Sequence, residues 1–279
     1  MRPQIVLRGW SKPQHTAAIS QALGVRGFGD HVKMEIGYWK CRGRAACMRM
    51  MMHYVGKDFN DNMHLYGHHI YQNENGWFDV EKPSKQKEDV QANLPYIIDG
   101  DIRVFQSMAC VLYLARKFDL HGSSEKEIVR NETVLFQAKD VFDDVAALVY
   151  HTEDDSAAFV KRAQGWLSSQ AINWLDIWER SLEQGDADFF AADRPLACDF
   201  SVYETVDHFE QLAKDIGVTC ILPNYPKVVA WRTRMRSLKG MQKYHDEYAS
   251  LQQMSNFASW GNGRKELGFK TFDPREEHA

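Results

Sequence analysis

The alternation of apolar and polar residues predicts strands and helices in the first part of the chain and helices alone in the second. Four short strands are predicted, at residues 32–39, 63–66, 96–98 and 103–105. Helices are predicted at 44–54 and 108–118, with Ser107 as the N-cap of the second. Asp99-Gly100 between the last two strands is a strong hairpin signal. The predicted order is therefore β-α-β-loop-β-β-α, and the charged loop 73–91 has room for a short helical turn.

After Gly122 the pattern becomes entirely helical. Long helices are predicted at 124–150, 157–183, 199–217 and 225–238, with a shorter one at 242–252. The breaks between them fall at residues that favour turns, Gly185, Pro195, Pro223 and Gly240. The pattern alone thus predicts an α/β domain followed by an all-α domain, and it indicates no activity.

Composition excludes several functional classes. The chain has 34 basic and 38 acidic residues, a formal net charge of -4, which favours neither nucleic acid nor an anionic membrane as a partner. No apolar run approaches the roughly 20 residues that span a bilayer. The five cysteines are odd in number and scattered, without a Cys-x-x-Cys pair. Free thiols in a reducing compartment, the cytoplasm, are therefore expected.

The first 33 residues differ from the rest in charge. They contain five lysines or arginines and a single acid, Asp30. A basic, acid-poor N-terminus is typical of a mitochondrial targeting segment, which is one interpretation. The other is an N-terminal extension on the surface, and Pro3 and Pro13 favour it because they would interrupt a targeting helix.

Two blocks of sequence carry motifs at a fixed spacing. The first runs from Ile36 to Arg44 and contains Gly-Tyr-Trp followed by Arg-Gly. The second contains Asn93-Leu94-Pro95-Tyr96, Asp99-Gly100, Gln106-Ser107 and Tyr113-Leu114-Ala115-Arg116-Lys117. In these motifs and in their spacing the chain resembles the mu class of glutathione transferases, although Arg-Gly-Arg-Ala at 42–45 is closer to the sigma class. The resemblance covers about residues 34 to 265.

The resemblance implies a fold, a reaction and its partners. Residues 34–121 would form a thioredoxin-like glutathione-binding domain, residues 122–254 a helical domain with the second-substrate site, and residues 255–279 a tail. The implied enzyme is a homodimer that conjugates glutathione, as co-substrate and without a further cofactor, to small hydrophobic electrophiles in detoxification.

Tyr38 is the catalytic candidate. A thiol with a pKa of about 8.5 is only a few per cent ionised at neutral pH, so a transferase must favour the thiolate. Tyr38 ends a strand just before a helix, where its hydroxyl could donate a hydrogen bond to the glutathione sulfur. A bond to a charged acceptor is worth about 1.5–3 kcal/mol, enough for one to two pKa units. Without the resemblance, an ordinary strand aromatic would be the simpler interpretation.

The resemblance also implies the residues that bind the two substrates. The glutathione set is Trp39, Arg44, Trp77, Lys82, Lys85, Asn93, Leu94, Pro95, Gln106, Ser107 and Asp140. In the family a cis proline at the Pro95 position lets the Leu94 backbone pair with the cysteinyl unit. Gln106 and Ser107 would hold the γ-glutamyl carboxylate at a helix N-terminus. Asp140 would reach across the dimer interface, and Tyr150 would line the second-substrate site.

Four positions depart from the family pattern. Glu74 and Glu81 stand where an arginine and a lysine hold the glycine carboxylate, so Lys82 or Lys85 is expected to compensate. Arg44 replaces a leucine near the active-site loop. Leu196 replaces the capping Ser or Thr before Asp199, a loss of about 1 kcal/mol.

Three alternatives stay open at this stage. Cys41 could be the nucleophile of a thiol transferase, although no Cys-x-x-Cys context supports it over a packed cysteine. His64, His68 and His69 have a spacing that could bind metal, but a polar loop is the better interpretation and no metal site is expected. Finally, Glu74 and Glu81 at the glycine-carboxylate site, the N-terminal extension and the lengthened 78–92 loop favour a non-catalytic structural or interaction subunit. The presence of Tyr38 and of the glutathione-binding residues argues against it.

Overall fold

The computed structural model describes residues 33–65, 76–150, 156–248 and 250–254, together with residues 258 and 260. The chain divides into the units Met1–Val32 and Lys33–Ala279, and all described residues lie in the second. The expected N-terminal extension and most of the expected tail lie outside the described residues. The boundaries expected between the two domains and the tail stay predictions.

A four-stranded sheet in the order β2-β1-β3-β4 organises the first part. The strands are Glu35–Trp39 (β1), Asn60–His64 (β2), Tyr96–Asp99 (β3) and Ile102–Phe105 (β4). β1 runs parallel to β2 and antiparallel to β3, and β3 pairs with β4 in the predicted hairpin. Gly100 forms that turn with a φ of +64°, a conformation that glycine adopts without steric cost. The predicted strand order along the chain is confirmed, although β2 begins three residues before the predicted 63.

Among the residues that the structure describes, three helices pack with this sheet. A 3-10 turn at Gly43–Ala45 leads into α1 (Ala46–Val55), a π-helical turn at Trp77–Glu81 leads into α2 (Lys82–Gln86), and α3 spans Ser107–Lys117. The methionines of α1 fill the core, since Met48, Met50, Met51 and Met52 are all buried. Ser107 is the first helical residue of α3, and Gln106 takes the N-cap position instead. The prediction of Ser107 as the N-cap is therefore wrong.

Six helices are described in the second part of the chain: α4 (Glu125–Val149), α5 (Ser156–Leu167), α6 (Gln170–Gln184), α7 (Ala197–Asp215), α8 (Pro226–Ser237) and α9 (Met241–Tyr248). The single helix predicted at 157–183 is in fact two. The hydroxyls of Ser168 and Ser169 donate to the carbonyl of Gly165 at 3.1 and 2.6 Å and so compete with the helical pattern at the break. α7 is buried along most of its length and packs against α1 and α4, which joins the two parts.

Asp199 organises the start of α7 although the preceding residue is Leu196. Its carboxylate accepts hydrogen bonds from the Leu196 N–H at 2.9 Å, the Phe190 N–H at 3.2 Å and Trp231 Nε1 at 2.8 Å. Burial raises the pKa of Asp199 to about 6, against the effect of these donors. The group is therefore ionised at neutral pH. Leu196 is fully buried, so its side chain contributes packing where a capping hydroxyl was expected.

Replacing Asp199 with asparagine is expected to lower the free energy of unfolding by about 2 kcal/mol. The amide keeps one acceptor oxygen but turns an NH₂ donor toward buried N–H groups, which then lose a partner. Chemical denaturation at neutral pH measures the change. Asp186→Asn, an exposed site, serves as the matched control, and an equal effect of the two substitutions would contradict the role of Asp199.

Candidate active site

Tyr38 lies next to last on β1 with its ring against the Gly43 turn. It is 8% exposed. A Cβ added at Gly43 would lie 2.8 Å from Tyr38 Cε1 and 3.0 Å from its hydroxyl oxygen, and Gly43 has a φ of +39°. Both the space and the backbone conformation therefore require glycine at this position. The Gly-Tyr-Trp and Arg-Gly motifs of the sequence thus meet at one point.

The surroundings of Tyr38 keep its phenol protonated. Burial raises the pKa of Tyr38 well above its ordinary value, and the nearby Cys41 adds to this shift. The backbone N–H of Arg44 points toward the phenolic oxygen and opposes the shift only in part. Because the phenolic oxygen of Tyr38 faces the N–H of Arg44, the O–H of Tyr38 is available to donate to another acceptor. Tyr38 is therefore a phenol that can donate a hydrogen bond.

A cleft opens beside this turn, between the sheet-containing part and the helical part. Gly43 and Arg44 form one wall, Ser107 and Met108 at the start of α3 a second, and one face each of α4 and α7 the rest. Apolar side chains predominate, with Val111, Leu135, Ala138 and Phe142 among them. The cleft suits a small, largely apolar ligand with a few polar contacts.

The start of α3 has an unusual backbone. Gln106 has a φ of +76° and a ψ of 125°, a region that residues other than glycine rarely occupy. Such conformations are concentrated at functional sites because they persist only where the surroundings impose them. Gln106 is exposed and Ser107 half-buried at the helix N-terminus. The pair is thus open to a ligand, and its role as a carboxylate site stays a prediction.

Arg44 extends from the turn to α4. Its Nη2 donates to Asp143 Oδ1 at 2.8 Å, and its guanidinium lies 4.8 Å from the centroid of the Phe142 ring. Lys139 donates to the other oxygen of Asp143 at 2.6 Å. Arg44 therefore lines the cleft as a side chain already paired with the helical part.

Tyr150 follows the last turn of α4. It is 41% exposed, and its electrostatic interaction with Tyr38 places the two phenols in the same neighbourhood. Asp140, on α4 as well, has a side chain 65% exposed and contacts Lys139 at 3.8 Å. Within one chain Asp140 is thus a surface residue, and its reach into a partner's site stays a prediction.

Aromatic side chains form a second cluster beside β1 and β2. Trp77 stacks on Tyr96 with centroids 5.8 Å apart, and the His64 ring lies 5.1 Å from Trp77 and 6.3 Å from Trp39. Lys85 Nζ lies 4.5 Å from the centroid of the Tyr96 ring. Trp39, Trp77 and Lys85 of the predicted glutathione set are therefore brought together, around a histidine that was not assigned to it.

The remaining predicted residues lie at the ends of elements near this cluster. The Leu94–Pro95 peptide bond is cis and directly precedes β3. Asn93 is exposed and Leu94 half-buried. Lys82 begins α2 next to Glu81, whose carboxylate faces His64 Nδ1 at 3.3 Å. Glu74 lies outside the described residues.

The structure also bears on the two competing sites. Cys41 is 2% exposed, and burial raises the pKa of its thiol to about 12, so it is neither a thiolate nor accessible. His68 and His69 lie outside the described residues. Across the parts of the chain that are described, no three His, Cys, Asp or Glu side chains are grouped to hold a metal ion.

One buried ion pair near the site was not predicted. Arg42 donates to both carboxylate oxygens of Glu204, at 3.1 and 2.7 Å, and to Asp207 at 2.6 Å. Burial pushes the pKa of Glu204 upwards, but Arg42 and His208 outweigh it and the pKa lies below its ordinary value. The Arg-Gly motif was visible in the sequence, whereas the partner of Arg42 is 162 residues away.

Among the described helices, none is both long and apolar enough to cross a membrane.

Comparisons with known proteins agree with this geometry. The family model for the glutathione S-transferase C-terminal domain matches residues 139–247. The human glutathione S-transferase Mu 3 is 25% identical over 234 residues, which cover 82% of this chain and 96% of that protein. The glutathione S-transferase Mu 4 of Mus musculus is 28% identical over 231 residues, 82% of this chain and 99% of that protein.

Solved structures share the fold. The glutathione S-transferase Blo t 8 superposes with a TM-score of 0.68 at 23% identity, over 82% of this chain and all of that one. The Pi-class glutathione S-transferase of Onchocerca volvulus superposes with a TM-score of 0.65 at 19% identity. The match covers 81% of this chain and 99% of that one. A thioredoxin-like domain with a four-stranded sheet followed by a helical domain is thereby confirmed. In sequence and in fold the chain is similar to glutathione S-transferases, and to those of the mu class along most of its length.

Proposed function

We propose that this protein is a glutathione S-transferase that conjugates the glutathione thiolate to small hydrophobic electrophiles. The observation that carries the proposal is the buried, protonated phenol of Tyr38 beside an apolar cleft. A donor held at the sulfur stabilises the thiolate over the thiol. The thiolate then attacks the electrophile, and the leaving group departs with the electron pair of the broken bond.

Glutathione would lie along the ends of β1, β3 and α3. Ser107 and Gln106 support the γ-glutamyl end, because a helix N-terminus stabilises a carboxylate. Asn93, Leu94 and Pro95 would flank the cysteinyl unit. Trp39, Trp77, Lys82 and Lys85 would surround the glycine end. Arg44 and Tyr150 would border the electrophile, and glutathione is the co-substrate with no other cofactor proposed.

A homodimer in the cytoplasm is part of the proposal. The mu-class relatives align over nearly their whole length, which supports a common assembly. Asp140, exposed on α4, is the residue proposed to contact the γ-glutamyl amine bound in the second subunit.

Replacing Tyr38 with phenylalanine is expected to lower kcat/KM for conjugation about 10- to 100-fold at neutral pH. The substitution removes one hydrogen bond to a charged sulfur, worth about 1.5–3 kcal/mol. For the same reason the pKa of bound glutathione should rise by one to two units. Steady-state kinetics with a generic aromatic electrophile and the pH dependence of thiolate absorbance measure the two effects.

Tyr225→Phe is the matched control, because it deletes a half-buried hydroxyl before α8 and should leave both quantities unchanged. Wild-type protein that neither turns over glutathione nor is retained on immobilised glutathione would instead support a non-catalytic interaction subunit. This second candidate is favoured by Glu81, which stands at the glycine end where the family has a lysine.

A further inference from the structure

Arg49 on α1 is a fully buried arginine that reaches back to the turn before its own helix. It is 0% exposed, and its Nη1 donates to the carbonyl oxygen of Cys41 at 2.6 Å. Cys41 belongs to residues 40–45, which follow β1 and lead into α1, and we call these residues the Tyr38 turn. A buried charge is costly unless it is paired, so the guanidinium stays at this carbonyl and fixes its position.

The Tyr38 turn lies against the side chain of Tyr38. A Cβ added at Gly43 would lie 2.8 Å from the Tyr38 ring and 3.3 Å from Cys41 Sγ, so these residues are closely packed. The backbone N–H of Arg44 points toward the phenolic oxygen. Moving the Cys41 carbonyl therefore moves the groups that define where the Tyr38 hydroxyl lies, because close-packed neighbours transmit a displacement.

Asp61 on β2 binds the other side of the Arg49 guanidinium. Its Oδ2 accepts from Arg49 Nε at 3.0 Å and its Oδ1 accepts from Arg49 Nη2 at 3.2 Å. Such paired bonds between a guanidinium and a carboxylate set the orientation of both groups. Since Nη1 binds the Cys41 carbonyl, all three nitrogens of Arg49 have a partner, and the guanidinium is held in one orientation.

Tyr248, the last residue of α9, holds this pair from the third side. Its hydroxyl donates to Asp61 Oδ2 at 2.9 Å, and its ring centroid lies 5.2 Å from Arg49 Cζ. Burial raises the pKa of Tyr248, and the Asp61 carboxylate adds to the shift, so the hydroxyl keeps its proton. The end of α9 is thus linked to the Tyr38 turn through two buried side chains.

We propose that Arg49 is a positioning residue for Tyr38, because it fixes the carbonyl of Cys41 in the Tyr38 turn. Tyr248 in turn holds Arg49 in place through Asp61. The proposal rests on the proposed function, since it needs the Tyr38 hydroxyl to donate to the sulfur of bound glutathione. Arg49 is fully buried, so it acts on the reaction only through the turn.

Arg49→Lys tests the proposal directly. Lysine keeps the positive charge but replaces the planar fork with one nitrogen, which cannot span the Cys41 carbonyl and both oxygens of Asp61. The pKa of bound glutathione, measured by thiolate absorbance, should rise by about one unit. At saturating glutathione, conjugation of a generic aromatic electrophile should be about 10-fold slower below both pKa values, because one pKa unit is a tenfold change in thiolate.

The pH profile separates positioning from a loss of folded protein. Well above both pKa values glutathione is ionised without help from Tyr38, so the rate of Arg49→Lys should approach that of the wild type. A merely structural role would lower the rate by the same factor at every pH. Tyr248→Phe, which removes only the hydroxyl bound to Asp61, should shift the pKa of bound glutathione in the same direction by a smaller amount. If Arg49→Lys does not fold, Tyr248→Phe decides the test.

Two matched controls lie away from the Tyr38 turn. Arg130→Lys changes another arginine that donates to backbone carbonyls, those of Phe190 and Ser181, both at 3.3 Å. Tyr113→Phe removes another hydroxyl that donates to an aspartate, Asp99. Both controls should lower the free energy of unfolding and leave the pKa of bound glutathione unchanged.

Amide hydrogen exchange reports on the turn without any catalysis. The N–H groups of Arg42 and Gly43 donate to the carbonyls of Gln252 and Gln253 at 2.8 and 3.0 Å, and their exchange should be faster in Arg49→Lys. A wild-type pKa of bound glutathione in both test variants would overturn the inference while conjugation itself stands. Wild-type protein that does not lower the pKa of glutathione would refute the proposed function. Faster exchange in Arg49→Lys would then still support the anchoring of the turn, and unchanged exchange would overturn it as well.

Discussion

Replacing Glu204 with alanine is expected to lower the free energy of unfolding by about 3–4 kcal/mol. The substitution leaves the buried guanidinium of Arg42 with Asp207 alone, and a buried charge that loses its main partner is strongly destabilising. The carboxylate of Glu204 also faces His208 Nε2 at 3.2 Å, so a second buried group loses its neighbour. Chemical denaturation at neutral pH measures the effect.

The same substitution should also affect Tyr38, the proposed catalytic residue. Arg42 and Gly43 donate their backbone N–H groups to Gln252 and Gln253 at 2.8 and 3.0 Å, and Gly43 packs on the Tyr38 ring. Arg42 thus fixes the turn that positions Tyr38, and Glu204 fixes Arg42. The pKa of bound glutathione should rise in folded Glu204→Ala protein, which a purely global loss of stability would not cause.

The pH dependence of the free energy of unfolding gives the contribution of the Glu204 charge to stability. Because the pKa of Glu204 is lower in the folded chain than in the unfolded one, its stabilisation is present above the ordinary glutamate pKa and is lost as pH falls through the folded value. Glu204→Gln should remove this part of the acid sensitivity. Glu210→Ala, which deletes a half-exposed partner of Arg232, is the control and should cost less than about 1 kcal/mol. An equally small effect at Glu204 would contradict the structural role of the pair.

Replacing Gly240 with alanine is expected to destabilise the protein by about 3 kcal/mol or more. Gly240 has a φ of +87°, and a Cβ there would lie 2.0 Å from the carbonyl oxygen of His53 and 2.5 Å from its carbonyl carbon. These are backbone atoms of α1, so the clash is relieved only by moving the helices apart. The contact joins α1 to the residue that precedes α9, and His53 also pairs with Glu247 near the end of α9, at 3.2 Å.

Gly217→Ala separates the clash from backbone strain. Gly217 has a φ of +73°, but a Cβ there would meet nothing within 4 Å. It should therefore cost only the strain of a left-handed alanine, about 1 kcal/mol. Thermal unfolding of both variants gives the comparison. Equal shifts in Tm would show that the approach of Gly240 to His53 is not as close as the structure has it.

Local patterns predicted the elements whose causes are local. The β3–β4 hairpin followed from Asp99-Gly100, and α1 followed from the helical pattern at residues 44–54, because turn conformation and helical periodicity depend on neighbours in sequence. The sequence did not predict the break between α5 and α6, since one helix was expected over residues 157–183. It depends on two serine hydroxyls that bind Gly165, a competition between side chain and backbone that apolar periodicity does not register.

The candidate site was predictable only in part, and for a comparable reason. Tyr38, Ser107 and the Leu94–Pro95 step lie in motifs at fixed spacing, so the resemblance named them before their geometry was known. The partner of Glu81 was not predictable, because Glu81 ends the turn before α2 whereas His64 lies at the end of β2. Lys85 was expected to be available for a carboxylate, whereas the fold places it over the Tyr96 ring.

By itself the sequence determined the order of strands and helices, the likeness to the glutathione transferases and the catalytic candidate, since all three depend on residue type and local spacing. Only the tertiary structure decided that the Tyr38 phenol is buried, that Arg42 is bound by Glu204, and that Glu81 faces His64. Burial and pairing depend on packing and on charges brought close in space. Segments far apart in the chain supply both, and they meet only when it folds.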